Sequence, residues 1–191
     1  MRSSTFYSAF SGYKFVLILQ ADAFIFFDNL KEFCSQEFDY WGAPWINYEL
    51  INNRLLRKVL PLFHKSRHLK IFRRFIGPRY LVGNGGLSLR KVATHLNITE
   101  KYKSEIIEFE KNYSSWVNHG AGSMAEDIFW SLFVPKMDRT FKIAPWRKAL
   151  TFSFEMNPIK AFALNQNKLP FGCHAFEKRN PEFYSKFIDF L

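Results

Sequence analysis

Four short stretches of this chain carry the residue types from which a reactive site is built. The first is Gln20-Ala21-Asp22, directly after the apolar run Phe15–Leu19. A carboxylate just past the C-terminal end of a buried strand lies where α/β sheets place their ligands. There Asp22 suits a Mg2+ or Mn2+ ion that neutralises a diphosphate; the plainer alternative is a cap on the next turn. The second is Gly83-Asn84-Gly85-Gly86. Its glycines allow close backbone approach to a ligand, Asn84 offers an amide to a hydroxyl-rich molecule, and Arg90 beyond it suits a phosphate. Read plainly, Asn-Gly is a tight turn at positive φ. The third is Glu126-Asp127. Ser123 with Glu126 forms a capping box, which accounts for Glu126. Asp127 then sits at a helix N-terminus, where the dipole stabilises its anion and suits it to act as a base or as an anchor for hydroxyls. The fourth is Phe171-Gly172-Cys173-His174, in which His174 is either a nitrogen ligand for a metal or a hydrogen-bonded loop histidine.

Several familiar sites are absent. There is no G-x-x-x-x-G-K-[ST] phosphate loop, and Gly83-x-Gly85 lacks the third glycine of a dinucleotide fingerprint. Ser88 is not in a G-x-S-x-G elbow. His64 and His68 have zinc-protease spacing, but position 65 is Lys where the general base belongs.

The elements that must hold these residues can be read from hydrophobic period and turn signals. A helix is expected over 4–12 without a convincing cap. A buried strand follows at Phe15–Leu19, of the kind found in parallel sheets covered on both faces. Asp28 caps a short helix over 30–35. Residues 38–41 read as a strand closed by Gly42-Ala43-Pro44-Trp45. Residues 80–82 and 87–89 read as strands flanking the glycine turn. Helices follow over 92–97, over 99–113 with Thr99 as cap, and over 125–134. A strand is expected at 141–144, and an irregular closing section follows.

The chain has 191 residues, one domain's length. With 48% hydrophobic and 19% aromatic residues it folds without disulfide staples. The formal charge is +10, but it is concentrated. Residues 50–99 hold eleven Lys/Arg and no carboxylate, and the remainder has 16 basic against 17 acidic residues. Such a patch implies a local anionic partner rather than general nucleic-acid binding. Within it, Ile51, Leu55, Val59 and Leu62 share one helical face, Leu69, Phe72 and Ile76 another, and Pro61 breaks the pattern. Residues 50–79 therefore read as a basic, amphipathic helical insertion. Arg54, Arg57, Lys58, Arg67, Lys70, Arg73 and Arg74 are expected on its exposed side, and Leu55, Val59, Phe63 and Phe72 against the body or a membrane. Cys34 and Cys173 suit a reducing compartment. No secretory signal or membrane span is visible.

In order, Leu17-Ile18-Leu19-Gln20-Ala21-Asp22-Ala23-Phe24, Asp39-Tyr40-Trp41-Gly42-Ala43-Pro44-Trp45, Val82-Gly83-Asn84-Gly85-Gly86-Leu87-Ser88-Leu89-Arg90, Glu126-Asp127, Phe152-Ser153-Phe154-Glu155 and Pro170-Phe171-Gly172-Cys173-His174-Ala175 form a series. This series resembles the bacterial domain-of-unknown-function family 5672, whose members look like glycosyltransferases of the GT-A type. The likeness runs from about residue 6 to residue 176. It implies an α/β fold with a mixed sheet and flanking helices. Asp22 matches the last position of the Asp-x-Asp motif that holds a divalent metal, Mn2+ or Mg2+, on a sugar-nucleotide diphosphate; Gln20 replaces the first Asp. Gly85 and Gly86 match the segment near the sugar, Asp127 the base that acts on the acceptor, and His174 the histidine that completes the metal site. Gln20, Asn84, Gly85, Gly86, Arg90 and Glu126 form the expected substrate-binding set.

The resemblance also implies an opening nucleotide-binding strand–helix–strand unit, which this chain lacks, so 1–191 reads as one N-terminally incomplete GT-A-like domain. The expected activity is transfer of a hexose from a nucleotide-sugar to a glycan or lipid-linked acceptor in surface-polysaccharide synthesis. The expected place is the cytoplasm, at the inner face of an anionic membrane, with no nucleic-acid partner. The alternative is a non-catalytic or truncated sugar- or partner-binding module.

Overall fold

The computed structural model describes residues 1–49, 80–117 and 126–189. The basic helices expected over 50–76, His64, His68 and the cap residue Ser123 lie outside the described residues.

The chain is a mixed α/β fold of small sheets with helices packed around them. It opens with α1 (Ser4–Ser8), then β1 (Phe15–Leu19), β2 (Ala23–Ile25), α2 (Leu30–Cys34), β3 (Tyr40–Trp41) and β4 (Pro44–Glu49). After the undescribed stretch come β5 (Tyr80–Val82), β6 (Leu87–Lys91), α3 (Val92–Lys101) and α4 (Lys103–Val117). A helix of three parts follows: α5 (Glu126–Ile128), a π-helical turn (Phe129–Phe133) and α6 (Val134–Met137). The closing section holds α7 (Trp146–Phe152), β7 (Ser153–Phe154), α8 (Pro158–Leu164), β8 (Gly172–His174) and α9 (Pro181–Tyr184).

The described strands form three sheets, ordered β1-β6-β3, β2-β8-β7 and β4-β5. All strand pairs are antiparallel except β7 with β8. This corrects the expectation of a buried parallel strand at Phe15–Leu19. β1 is an edge strand whose residues are half-buried, and Leu19 is 51% exposed. The central strand is β6, with Leu87, Ser88, Leu89 and Arg90 all buried. A continuous apolar run does not distinguish a central strand from an edge strand flanked by other elements.

Other boundaries shift for identifiable reasons. Ser3 caps α1 by accepting the Phe6 amide at 3.3 Å, and the residue that α1 buries is Tyr7. Pro44 and Trp45, expected to close the strand at 38–41, instead open β4, with the Pro44 nitrogen at the strand's start, where a missing donor is tolerated. Thr99 lies inside α3, its hydroxyl bonded to the Leu96 carbonyl at 2.8 Å, so it caps nothing. Residues 141–144 make only one bridge, Ile143 to Tyr40. The π turn precedes Pro135, whose ring cannot follow a tight α turn; the Val134 amide reaches back five residues to the Phe129 carbonyl.

Three clusters fill the core. Tyr7, Tyr40, Phe129 and Trp130 pack between α1, α3 and the π turn; Phe154, Cys173, Phe176 and Tyr184 under the second sheet; and Phe33, Trp41, Phe152 and Phe171 between α2, α7 and β6. Gly83 lies where β5 leaves this core. A Cβ there would meet Trp45 Cζ2 at 2.5 Å and Ser131 Oγ at 2.6 Å, and that hydroxyl already donates to the Val82 carbonyl. Gly83→Ala is therefore expected to overpack the core and cost about 1–3 kcal/mol, read by urea denaturation.

Candidate functional site

Three ladders end at one place. Antiparallel pairing sets Leu19 opposite Leu87, and the next amide, Gln20 N–H, donates to the Gly86 carbonyl at 2.9 Å. Ala23 pairs with His174, and the Ala175 amide donates to the Asp22 carbonyl at 2.8 Å. Parallel pairing of Phe154 with Cys173 sets Glu155 beside His174. The turn Gln20-Ala21-Asp22 carries the chain from the first sheet to the second. Gln20, Asp22, Gly86, Glu155 and His174 thus meet at the joint between two sheets.

His174 is the hub. Its Nε2 lies 3.2 Å from Asp22 Oδ1 and 3.1 Å from Gln20 Oε1, and its Nδ1 lies 3.3 Å from Glu155 Oε1. Burial pushes its pKa down, but the hydrogen bond and charge of Glu155, then Asp22, outweigh this and raise it above the ordinary value. Asp22 also accepts from Lys178 Nζ at 3.2 Å. Against the upward effect of burial, Lys178 and His174 hold the Asp22 carboxyl below its usual value. Gly86 is glycine because of this ring: a Cβ at 86 would fall among Nε2, Cδ2 and Cε1 of His174.

These atoms are of the kind that a hard divalent cation takes. Nε2 lies 3.2 Å from Asp22 Oδ1 and 3.1 Å from Gln20 Oε1, the spacing of neighbouring ligands on an ion with bonds of about 2.1 Å. Glu155 on Nδ1 fixes the ring as carboxylates do behind metal-bound histidines. Among the described residues no group of three His, Cys, Asp or Glu side chains is placed to hold a metal ion. An ion held here by Asp22, His174 and the Gln20 amide would take its other ligands from phosphate oxygens or water.

The turn between β5 and β6 closes one side. Asn84 is fully buried, and its Oδ1 accepts the amides of Gly86 at 2.9 Å and Leu87 at 3.2 Å. Its Nδ2 donates to Ser153 Oγ at 3.4 Å. These bonds hold the turn, so Asn84 shapes the site without offering its amide to a ligand. None of the described glycines needs the left-handed region; Gly83 and Gly86 are required by close contact. At Gly85 the space is open, with Glu126 Oε2 the nearest atom to a would-be Cβ at 3.9 Å.

Arg90 lies behind that turn, and its position corrects the phosphate-binding expectation. Its side chain has no exposed surface. The guanidinium donates to both carboxylate oxygens of Glu126, to Tyr7 Oη at 3.0 Å and to Ser88 Oγ at 3.0–3.1 Å. It also lies 5.6 Å from the centre of the Tyr40 ring. Glu126 takes a further bond from Trp130 Nε1 at 2.6 Å. The Glu126 carboxylate is thus the counter-charge of a buried arginine and ties α5 to β6; its expected cap partner, Ser123, lies outside the described residues.

Asp127 is next in sequence and is 6% exposed. Burial, then the charge of Glu155, outweighs the hydrogen bond from the Ile128 amide and pushes its pKa up to about 6. The helix-dipole expectation of a stabilised anion is overturned here, because desolvation and a neighbouring carboxylate prevail.

These residues can be followed around a ring: Asp22, Gln20 and Glu155 touch His174, whose ring lies over Gly86; Glu126 Oε2 is the nearest atom to a would-be Cβ at Gly85; and Asp127, next in sequence to Glu126, feels the charge of Glu155. Of the residues marked in the sequence, Gln20, Asp22, Gly86 and His174 are in direct contact, while Asn84 and Arg90 stand behind as supports. Sequence reading gave no role to Glu155, Tyr7, Trp130 or Lys178. Glu155 directly follows a strand, as Asp22 nearly does, and that was its signal. The other three have none, since they act only through packing and distant pairing.

A family profile described as protein of unknown function, DUF5672, matches residues 1–174. The chain belongs to the DUF5672 family. Searches of curated proteins and of solved structures return no match. In this DUF5672 chain every member of the ring lies within the matched residues, while α9, which packs beneath β8, lies beyond them.

Two outcomes test these electrostatics. Removing one partner of a buried ion pair strands the other charge, so Glu126→Ala should cost about 3–5 kcal/mol in urea denaturation, and Glu126→Gln less. Asp127 titrates near 6 when folded against 3.8 unfolded. Its neutral form fits the fold, so its contribution is favourable below the unfolded value and is lost as pH rises through about 6. Asp127→Asn should therefore raise Tm relative to the parent at about pH 8 and change it little at about pH 4.

Proposed function

We propose that this DUF5672 chain is a glycosyltransferase-type domain of GT-A character, which moves a hexose from a nucleotide-sugar to a hydroxyl of a glycan or lipid-linked acceptor. The observation that carries the reading is the cluster around His174. Asp22, Gln20 and Glu155 meet its ring, and the buried Asp127, its pKa pushed up to about 6, feels the charge of Glu155, while Gly85 leaves open space beside Glu126.

Each part has work to do in such a transfer. Asp22 and His174, with the Gln20 amide, would hold a Mn2+ or Mg2+ ion, which when bound neutralises the donor diphosphate. Glu155 keeps the His174 ring turned toward Asp22. Gly85, lacking a side chain, leaves room for the sugar. Asp127 accepts the acceptor hydroxyl proton as that oxygen bonds to the anomeric carbon and the bond from that carbon to the diphosphate oxygen breaks. A carboxylate with pKa near 6 is a better base at neutral pH than an ordinary aspartate and is still ionised there. Arg90 supports the reaction indirectly, by fixing Glu126 and hence the start of α5. Among the described residues no helix is long and apolar enough to cross a membrane. Contact with an anionic membrane through the basic stretch 50–79 belongs to the same proposal.

The test is single-turnover sugar transfer with donor titration. Asp127→Asn is expected to lower the transfer rate by about 10²–10⁴-fold with donor affinity nearly unchanged. The wild-type rate should rise with pH through about 6, as Asp127 ionises. Asp22→Ala should weaken donor binding and metal dependence together. Wild-type turnover by Asp127→Asn would remove the base assignment, and indifference to chelator would remove the ion.

A further inference from the structure

A second cleft lies at the far end of the β2–β8 pair from Asp22 and His174. Its volume is about 600 Å³, within the range of small-ligand sites. Five residues of extended chain, from Asp22 to Phe27, separate the two, on the order of 16 Å. The cleft opens between α2, the end of α8 and the turn that follows α8.

Its chemistry has three parts. Phe27 and Phe187 are 48% and 36% exposed, so two aromatic side chains meet solvent at the cleft. Phe187 is braced by Phe162 and Phe183, with ring centres 6.0 and 5.4 Å away. Carboxamides stand around these rings. Asn29, not the expected Asp28, stands at the N-cap position of α2; its side chain makes no cap bond and donates from Nδ2 to Glu32 at 3.3 Å, Asn165 is tied to the Lys168 carbonyl at 2.8 Å, and Asn167 lies in the turn after α8. That turn is built firmly: Gln166 and Asn167 are left-handed, at φ 58° and 57°, and their amides close back on the carbonyls of Ala163 and Phe162. Finally, the lining carries one acid, Glu32, and one base, Lys168. The charges balance, so the cleft offers no excess charge to phosphate, nucleic acid or anionic lipid.

A ligand matching this lining is uncharged, has apolar faces broad enough to lie on phenyl rings, and has hydroxyls at its edges to exchange hydrogen bonds with carboxamides. We infer that the cleft is a binding site for neutral carbohydrate, separate from the candidate active site. It depends on none of the roles proposed for Asp127, Asp22 or His174, and it would hold a glycan chain whether or not this polypeptide transfers sugar.

The test measures binding, not turnover. The full chain is titrated calorimetrically with neutral oligosaccharides of glucose, galactose, mannose and N-acetylglucosamine in α and β linkage, and with anionic polygalacturonate. Binding of at least one neutral probe is expected. Phe27→Ala, at an exposed position, and Asn167→Gly, which keeps the left-handed backbone, should each weaken it by about tenfold or more with Tm unchanged. Asp127→Asn should leave it unchanged. The proposal is overturned if no neutral probe binds, if only polygalacturonate binds, if both cleft variants bind normally, or if Asp127→Asn weakens binding as much as they do.

Discussion

A guanidinium without exposed surface cannot stay in a fold unless a carboxylate comes to meet it. Arg90 is such a group, and Glu126 meets it with both oxygens. That pair fastens α5 to β6. Tyr7 from α1 and Ser88 from β6 take the remaining guanidinium hydrogens, and Trp130 from the π turn completes Glu126. One buried charge thereby joins the first helix, the central strand and the helix that bears Asp127. The aromatic rings of Tyr7, Tyr40 and Trp130 surround it and lower the local dielectric, which makes the pairing obligatory.

The candidate site is assembled against this anchor by strand register. Antiparallel pairing is specific to a single residue, because a slip of one turns every side chain to the opposite face. Gln20 is therefore held at Gly86 and Asp22 at Ala175, and a parallel pair delivers Glu155. The acids accumulate on one side of the ring. His174, positioned between Asp22 and Glu155, offsets two of them. Among the described residues no cation is paired with Asp127, and burial, then the charge of Glu155, raises its pKa.

The two halves of the site are held in different ways. The His174 side rests on ladders from two sheets. The Asp127 side rests on one ion pair and a short helix, and its approach to the rest of the ring depends on Glu126 staying bound to Arg90. A change that weakens that pair moves the base without touching it.

Much of this could be read from residue order alone. The turn signals at 83–86, the acid after β1, the Glu-Asp pair and the late histidine all stand at the site, since local polar residues following strands have few structural reasons to be there. The family resemblance, too, was legible from the ordered motifs. Tertiary structure decided three other matters. It made β1 an edge strand and β6 the centre, because apolar content reports burial and not sheet order. It turned Arg90 and Asn84 inward, since a polar side chain is equally at home facing a ligand or bonded to distant residues such as Tyr7, Glu126 and Ser153. It reversed the expected pKa of Asp127, whose neighbour Glu155 is 28 positions away in sequence and adjacent only after folding. Helix ends and turns are written locally; charge partners and strand order depend on contacts that no short window of sequence contains.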